Sequence, residues 1–290
     1  MRTLPCPDRS AARAQLGSAL QDDPPGDALL DAVIALYDQY DTSAGVPGDV
    51  LRASGLPLAF RDTVHDAYDL TQKGCRMSFI RTALLDGVER CPVCGISAPR
   101  ELDHYLPRSL FKCLAIYVRN LVPYCHDCNN SKKAHAGDHD ERFIHPYFDE
   151  IPDVQFLQAT VDLQGGALRA EFAIVGVDGL DEDLRARLDH QLGRLKLNER
   201  FQRELSNYMS AHTAAMHIVY GAALAPGMSQ FLATQAQVEH ERLHRNDWRV
   251  ALLRALSQHD IFCDGGFREV YPVPADGGGP LLAAAKALWL

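Results

Sequence analysis

Four cysteines in two CxxC pairs, Cys91/Cys94 and Cys125/Cys128, are spaced as only a few kinds of chemistry require. A CxxC turn brings two thiolates to one ion, and two such turns complete a closed tetrahedral set of four sulfurs. Four thiolates leave no position open for water or substrate, so the expected ion is a structural Zn²⁺. Pro92 and Gly95 supply the tight turn that a zinc knuckle needs at the first pair.

The 30 residues between the pairs are not arbitrary. They read from Leu102-Asp103-His104 and Pro107 to Asn120-Leu121 and Pro123, and the second pair runs on into Asn129, Lys132 and Lys133. Phosphodiester hydrolysis needs a base to activate water, a cation to neutralise developing charge, and in-line geometry. On a strand Asp103 and His104 point to opposite faces, so only one of them faces a given metal ion directly.

The combination resembles the HNH endonuclease family, in the subgroup whose ββα-metal fold is braced by two CxxC pairs. The likeness covers about 43 of 290 residues; Phe143-Ile144-His145-Pro146-Tyr147 is a weaker match to extensions of some bacterial members. The resemblance implies that Asp103 binds a divalent ion and that His104 deprotonates the attacking water. Asn129, at the start of the following helix, would be a second ligand, and Asn120 would hold the His104 loop by hydrogen bonding. Lys132 and Lys133 would contact phosphate. Oxygen-rich ligands favour Mg²⁺ or Mn²⁺ at this second site. The chain departs from the family in carrying Asn129 rather than His at the third signature position. It also has Lys133 where some members place a further metal-binding His, and it lacks paired glycines between Pro107 and Asn120. His126, His135, His139 and His145 are expected to lie outside the immediate ligand set.

The elements that must position these residues are mainly helical. Apolar side chains recur at helical spacing over 27–40 and again over roughly 60–86, leading into the first CxxC. Residues 153–177 alternate around Gly165-Gly166 as a β-hairpin does. From 181 to about 257 the pattern is helical, interrupted at 221–227, and a Gly-Gly-Gly-Pro linker (277–280) precedes an apolar tail. The expected fold is α+β: mainly α with an inserted ββα-metal module and one hairpin. Its regions are 1–86 (helical), 87–148 (the cysteine-rich module) and 149–290 (hairpin and helices).

The charge distribution matters more than the sum. The net charge is −9, yet 73–142 carries +3 and the remainder −12. Positive charge gathered around the cysteines is what the approach of a phosphate needs, and the HNH resemblance implies DNA as the partner. No apolar run of membrane-spanning length occurs, and the N-terminus lacks an apolar signal core, so a cytoplasmic protein is expected. Reduced cysteines fit that compartment, and the scattered Cys6, Cys75, Cys113 and Cys263 are expected to be small buried residues. Many bacterial HNH proteins work beside an ATPase or sensor protein in defence systems, so such a partner is implied by resemblance. Two other readings stay open: a non-catalytic zinc-braced nucleic-acid-binding module, and an interaction protein stapled by the zinc knot.

Overall fold

Val33, Tyr37 and Tyr40 recur every three or four residues in 27–42 and form one buried helical face. A computed structural model describes residues 2–137 and 141–273. His139, the 277–280 linker and the tail after it lie outside the described residues. The fold is mainly α with two small two-stranded antiparallel sheets. Among the described residues, no helix is long and apolar enough to cross a membrane.

The chain divides into two units, Met1–Ile151 with Ala186–Leu195, and Pro152–Arg185 with Lys196–Leu290. The regions expected separately as 1–86 and 87–148 thus fall within one unit. Its elements are α1 (Ala12–Ala19), α2 (Asp27–Thr42), α3 (Leu58–Asp66), α4 (Ser78–Leu85), β1 (Glu101–His104), β2 (Leu121–Tyr124) and α5 (His126–Lys132). The helical pattern of 60–86 resolves into α3, a 3₁₀ turn at Ala67–Thr71, and α4. Gly74, at φ 85°, breaks it where no side-chain-bearing residue would sit without strain.

The core of this unit is aromatic. Tyr37 stacks on Tyr117 at 4.0 Å, and Tyr117 donates to Asp41 at 2.7 Å. Tyr117 belongs to the loop 105–120 between β1 and β2, which is buried along most of its length. A buried loop must find partners for its backbone. Asn120, 0% exposed, supplies several of them. Its Oδ1 accepts from Leu106 N at 2.8 Å, and its Nδ2 donates to the carbonyls of Leu106 and Leu114 at 3.1 and 3.2 Å. Behind it, His145 Nδ1 accepts from Tyr147 N at 3.1 Å, which leaves the ring proton on Nε2, 2.9 Å from Tyr40 Oη. Tyr40 in turn donates to Asn120 Oδ1 at 3.2 Å.

Burial pushes His145 down to about 3. Its folded-state pKa lies below the ordinary 6.5, so the unfolded chain binds more protons between those values. Its contribution is therefore whole above pH 6.5 and is lost as pH falls toward 3. With zinc in excess, His145→Gln should lose about 1 kcal/mol less stability than wild type per pH unit below 6.5. Urea unfolding at pH 6.5 and 5.5 measures this, and parallel losses would disprove it.

The second unit contains β3 (Leu157–Gln164), β4 (Ala167–Ile174), α7 (Leu197–Ser210), α8 (Thr213–Arg242), α9 (Trp248–Ser257) and α10 (Phe267–Val270). The chain crosses between units within α6 (Glu182–Arg194). Gly165 and Gly166, both at positive φ, make the two-residue turn of the β3–β4 hairpin. Asn198 and Gln202, one helical turn apart on α7, bond the backbone of Phe172, Ala170 and Leu168 and so cover the free edge of β4. The interruption expected at 221–227 is a kink in α8: Leu224 is non-helical and Pro226 has no N–H to donate.

Candidate metal centre and active site

Antiparallel pairing explains how cysteines so far apart in sequence converge. The register Glu101↔Tyr124 to His104↔Leu121 puts the residues before β1 and after β2 at one end of the sheet. Cys91 and Cys94 precede β1, and Cys125 caps α5 directly after β2. Their four buried sulfurs all lie within 4.8 Å of one another. Cys94 and Cys125 are 3.7 Å apart. Tetrahedral Zn–S bonds of about 2.3 Å would set sulfurs about 3.8 Å apart. Gly95, at φ 66°, turns the first knuckle, and Ile96 N donates to Cys94 Sγ at 3.4 Å. Thiols of Cys128, Cys91 and Cys94 donating to Cys125 hold it far below the ordinary thiol range. The cluster can hold a structural metal ion such as zinc.

The scattered cysteines divide. Cys113 and Cys263 are buried as expected, but Cys6 and Cys75 are exposed.

Along β1 the side chains alternate. Leu102 and His104 are buried, while Glu101 and Asp103 share the other face. His104 is 6% exposed and packs edge-on against Tyr68 at 4.4 Å. Its Nε2 lies 2.9 Å from the Ala115 carbonyl, so that nitrogen carries the proton and Nδ1 keeps its lone pair. Nδ1 has no hydrogen-bond partner among the described residues. Burial holds the imidazole down at about 3, so it is neutral at working pH. The loop that positions this imidazole is the one Asn120 ties together.

On the other face, burial pushes the Asp103 carboxyl up against the pull of Lys132. Asp103 Oδ2 is buried without an aligned hydrogen bond. Asn129 Nδ2 donates to Glu101 at 2.6 Å, and His126 Nδ1 meets the same carboxylate at 2.8 Å. Despite part burial, those hydrogen bonds hold Glu101 below the usual carboxylate range. Two carboxylates and an amide oxygen are a hard donor set that fits a divalent ion such as Mg²⁺ or Mn²⁺, which would compete with Lys132 for Asp103 Oδ2. Glu101 was not singled out in the sequence. The signal was there, because period-two alternation puts residue 101 on the face of 103.

Three expectations need correction. Asn129 does not begin the helix; α5 starts at His126, and Asn129 lies nearly a turn inside. Lys132 is no phosphate contact in this state: it is 1% exposed, with Nζ 2.9 Å from Asp103 Oδ2 and 2.7 Å from the His104 carbonyl. The buried carboxylate draws the ammonium inward, where each lessens the penalty on the other. Lys133, the C-cap of α5, is exposed. His145 is part of the scaffold behind Asn120, with both ring nitrogens hydrogen-bonded. His126 stands closer to the site than expected, through Glu101.

Comparison with known proteins adds a local likeness. The chain is 39% identical over 70 residues to "Protein ea31" of Escherichia phage lambda, a stretch that is 23% of this chain and 24% of that protein. No protein-family model matches the chain, and no solved structure does.

The Lys132–Asp103 pair makes a testable claim. Lys132→Met should destabilise the protein by about 3 kcal/mol, because it leaves a buried carboxylate uncompensated. Lys132→Met with Asp103→Asn should recover much of that loss in a double-mutant cycle by urea unfolding. Additive losses would show that the pair does not couple.

Proposed function

We propose that this protein is a metal-dependent endonuclease of the HNH type, cutting DNA at His104 beside a zinc-braced hairpin. One observation carries the reading. A neutral imidazole, fixed through Nε2 to the Ala115 carbonyl, keeps its Nδ1 lone pair on a strand whose preceding residue, Asp103, is a mostly buried acid paired with Lys132. That pairing suits water activation next to a divalent cation.

In this mechanism His104 Nδ1 takes a proton from water as its oxygen bonds to phosphorus and the bond to the leaving 3′ oxygen breaks. An imidazole near 3 is a weak base in the free protein. An anionic phosphate beside it favours the imidazolium and raises its basicity when substrate is bound. Asn120 keeps the His104 loop in register, and the Ala115 carbonyl holds the ring's tautomer. Glu101, Asp103 and Asn129 would hold the divalent ion, which when bound polarises the phosphate and offsets charge on the leaving oxygen.

A second reading, a zinc-braced binding module without catalysis, draws support from the Lys132 ammonium standing against Asp103 where a metal ion would compete. Plasmid incubation with wild type and His104→Ala, in Mg²⁺, in Mn²⁺ and without added divalent ion, separates the two. Metal-dependent nicking by wild type alone supports the nuclease. Equal cutting by both proteins would rule out His104 as the base. A wild type that binds without cutting favours the second reading. DNA as substrate, a partner ATPase or sensor, and a role in defence rest on the resemblance and belong to the same proposal.

A further inference from the structure

Two permanently basic side chains, Arg108 and Lys132, stand in electrostatic reach of His104, and they are placed differently. Lys132 is buried and held by Asp103. Arg108 follows Pro107 in the loop after β1, and its guanidinium lies over the Tyr68 ring at 4.8 Å. Tyr68 is itself anchored to the catalytic strand: its hydroxyl donates to the Leu102 carbonyl at 2.5 Å, and its ring meets His104. One aromatic side chain thus joins the proposed base to a guanidinium.

We propose that Arg108, braced on Tyr68, is the phosphate-binding arm of the His104 site, an assignment that rests on the nuclease reading above. Its present contacts are long and weak. Nη1 lies 3.5 Å from the His65 carbonyl and 3.4 Å from the Asp69 carboxylate, and Asp69 is 73% exposed. An exposed pair of that kind is weak, so a phosphate can displace it readily. Stacking uses the face of a guanidinium and leaves its in-plane donors free, which is the fork that engages two oxygens of one phosphate. A phosphate held by Arg108 would share the Tyr68 ring with His104, the proposed base. Nothing in the local sequence pointed to Tyr68. It comes from the 3₁₀ turn after α3, more than thirty residues upstream of the strand it braces.

The test uses Arg108→Met, which keeps an apolar stem over Tyr68, and Arg108→Lys, which restores charge without the fork. Arg242→Ala, on α8, controls for general loss of positive charge. Binding of a fluorescent 20-base-pair duplex is followed by anisotropy across a salt series without added divalent ion, and plasmid cleavage is followed in Mn²⁺. Zinc content and circular dichroism confirm that each variant is folded. For Arg108→Met the slope of log affinity against log salt should shrink by about 1, the signature of one lost phosphate contact. Its kcat/KM should fall about 10- to 100-fold, the range for a lost hydrogen bond from a charged group. Arg108→Lys should regain the slope and part of kcat/KM, and Arg242→Ala should keep the wild-type kcat/KM. If Arg108→Met keeps both the slope and the kcat/KM of an active wild type, Arg108 is not the arm and the nuclease reading stands. If wild type neither binds nor cuts, the nuclease reading falls and the assignment falls with it.

Discussion

Cys125→Ser should leave the purified protein without its metal and without a folded cysteine-rich module. The expectation follows from how short the strands beside the cysteine cluster are. β1 and β2 are four residues each, and an isolated two-stranded hairpin is marginal in water. Structural zinc contributes about 10–16 kcal/mol to the folding of small zinc domains near neutral pH, as much as the whole stability of a typical protein. Cys125 is also the N-cap of α5, so loss of its ion would free the start of the helix that carries Asn129 and Lys132. Wild type should yield one zinc per chain by elemental analysis, and Cys125→Ser none. Hydrogen exchange across 91–132 should rise toward that of an unfolded chain in the variant. A wild type purified without chelators that contains no zinc would refute the metal centre outright.

His104→Ala should retain zinc and fold yet cut plasmid about 10²–10⁴-fold more slowly, the usual contribution of a general base. The loss should not be recovered by raising the divalent ion, because the missing group handles a proton rather than the metal. Asp103→Ala should fail in a different way. It removes a ligand, so part of the activity should return at high Mn²⁺. Asn129→Ala tests whether that side chain is a ligand or only a hydrogen-bond donor to Glu101: a ligand role predicts the Asp103 pattern. Glu101→Gln extends the same logic to the carboxylate that shares Asp103's face. If Mn²⁺ restores His104→Ala and leaves Asp103→Ala inactive, the roles assigned to the two adjacent residues are reversed or wrong.

Much of this was legible in the sequence because the signals are local. Two CxxC pairs announce a four-sulfur cluster by spacing alone, since each turn brings its own two sulfurs together. The alternation about Gly165-Gly166 needs only neighbouring residues to specify a hairpin, and Pro226 marks a break in α8 by its missing N–H. Asp103 and His104 could be assigned to opposite faces from the pleat of a strand. Other features depended on long-range packing. Whether Lys132 reaches solvent or turns inward was decided by a buried carboxylate on another element, since on a helix of seven residues either direction is open. Tyr68 against His104, Tyr40 and His145 behind Asn120, and Glu101 beneath Asn129 join segments tens of residues apart. No periodicity records such contacts. The sequence by itself determined the donor types, the two knuckles and the strand that bears His104. Tertiary structure alone decided which lone pairs stay unpartnered, because burial and competing hydrogen bonds exist only once the chain has folded.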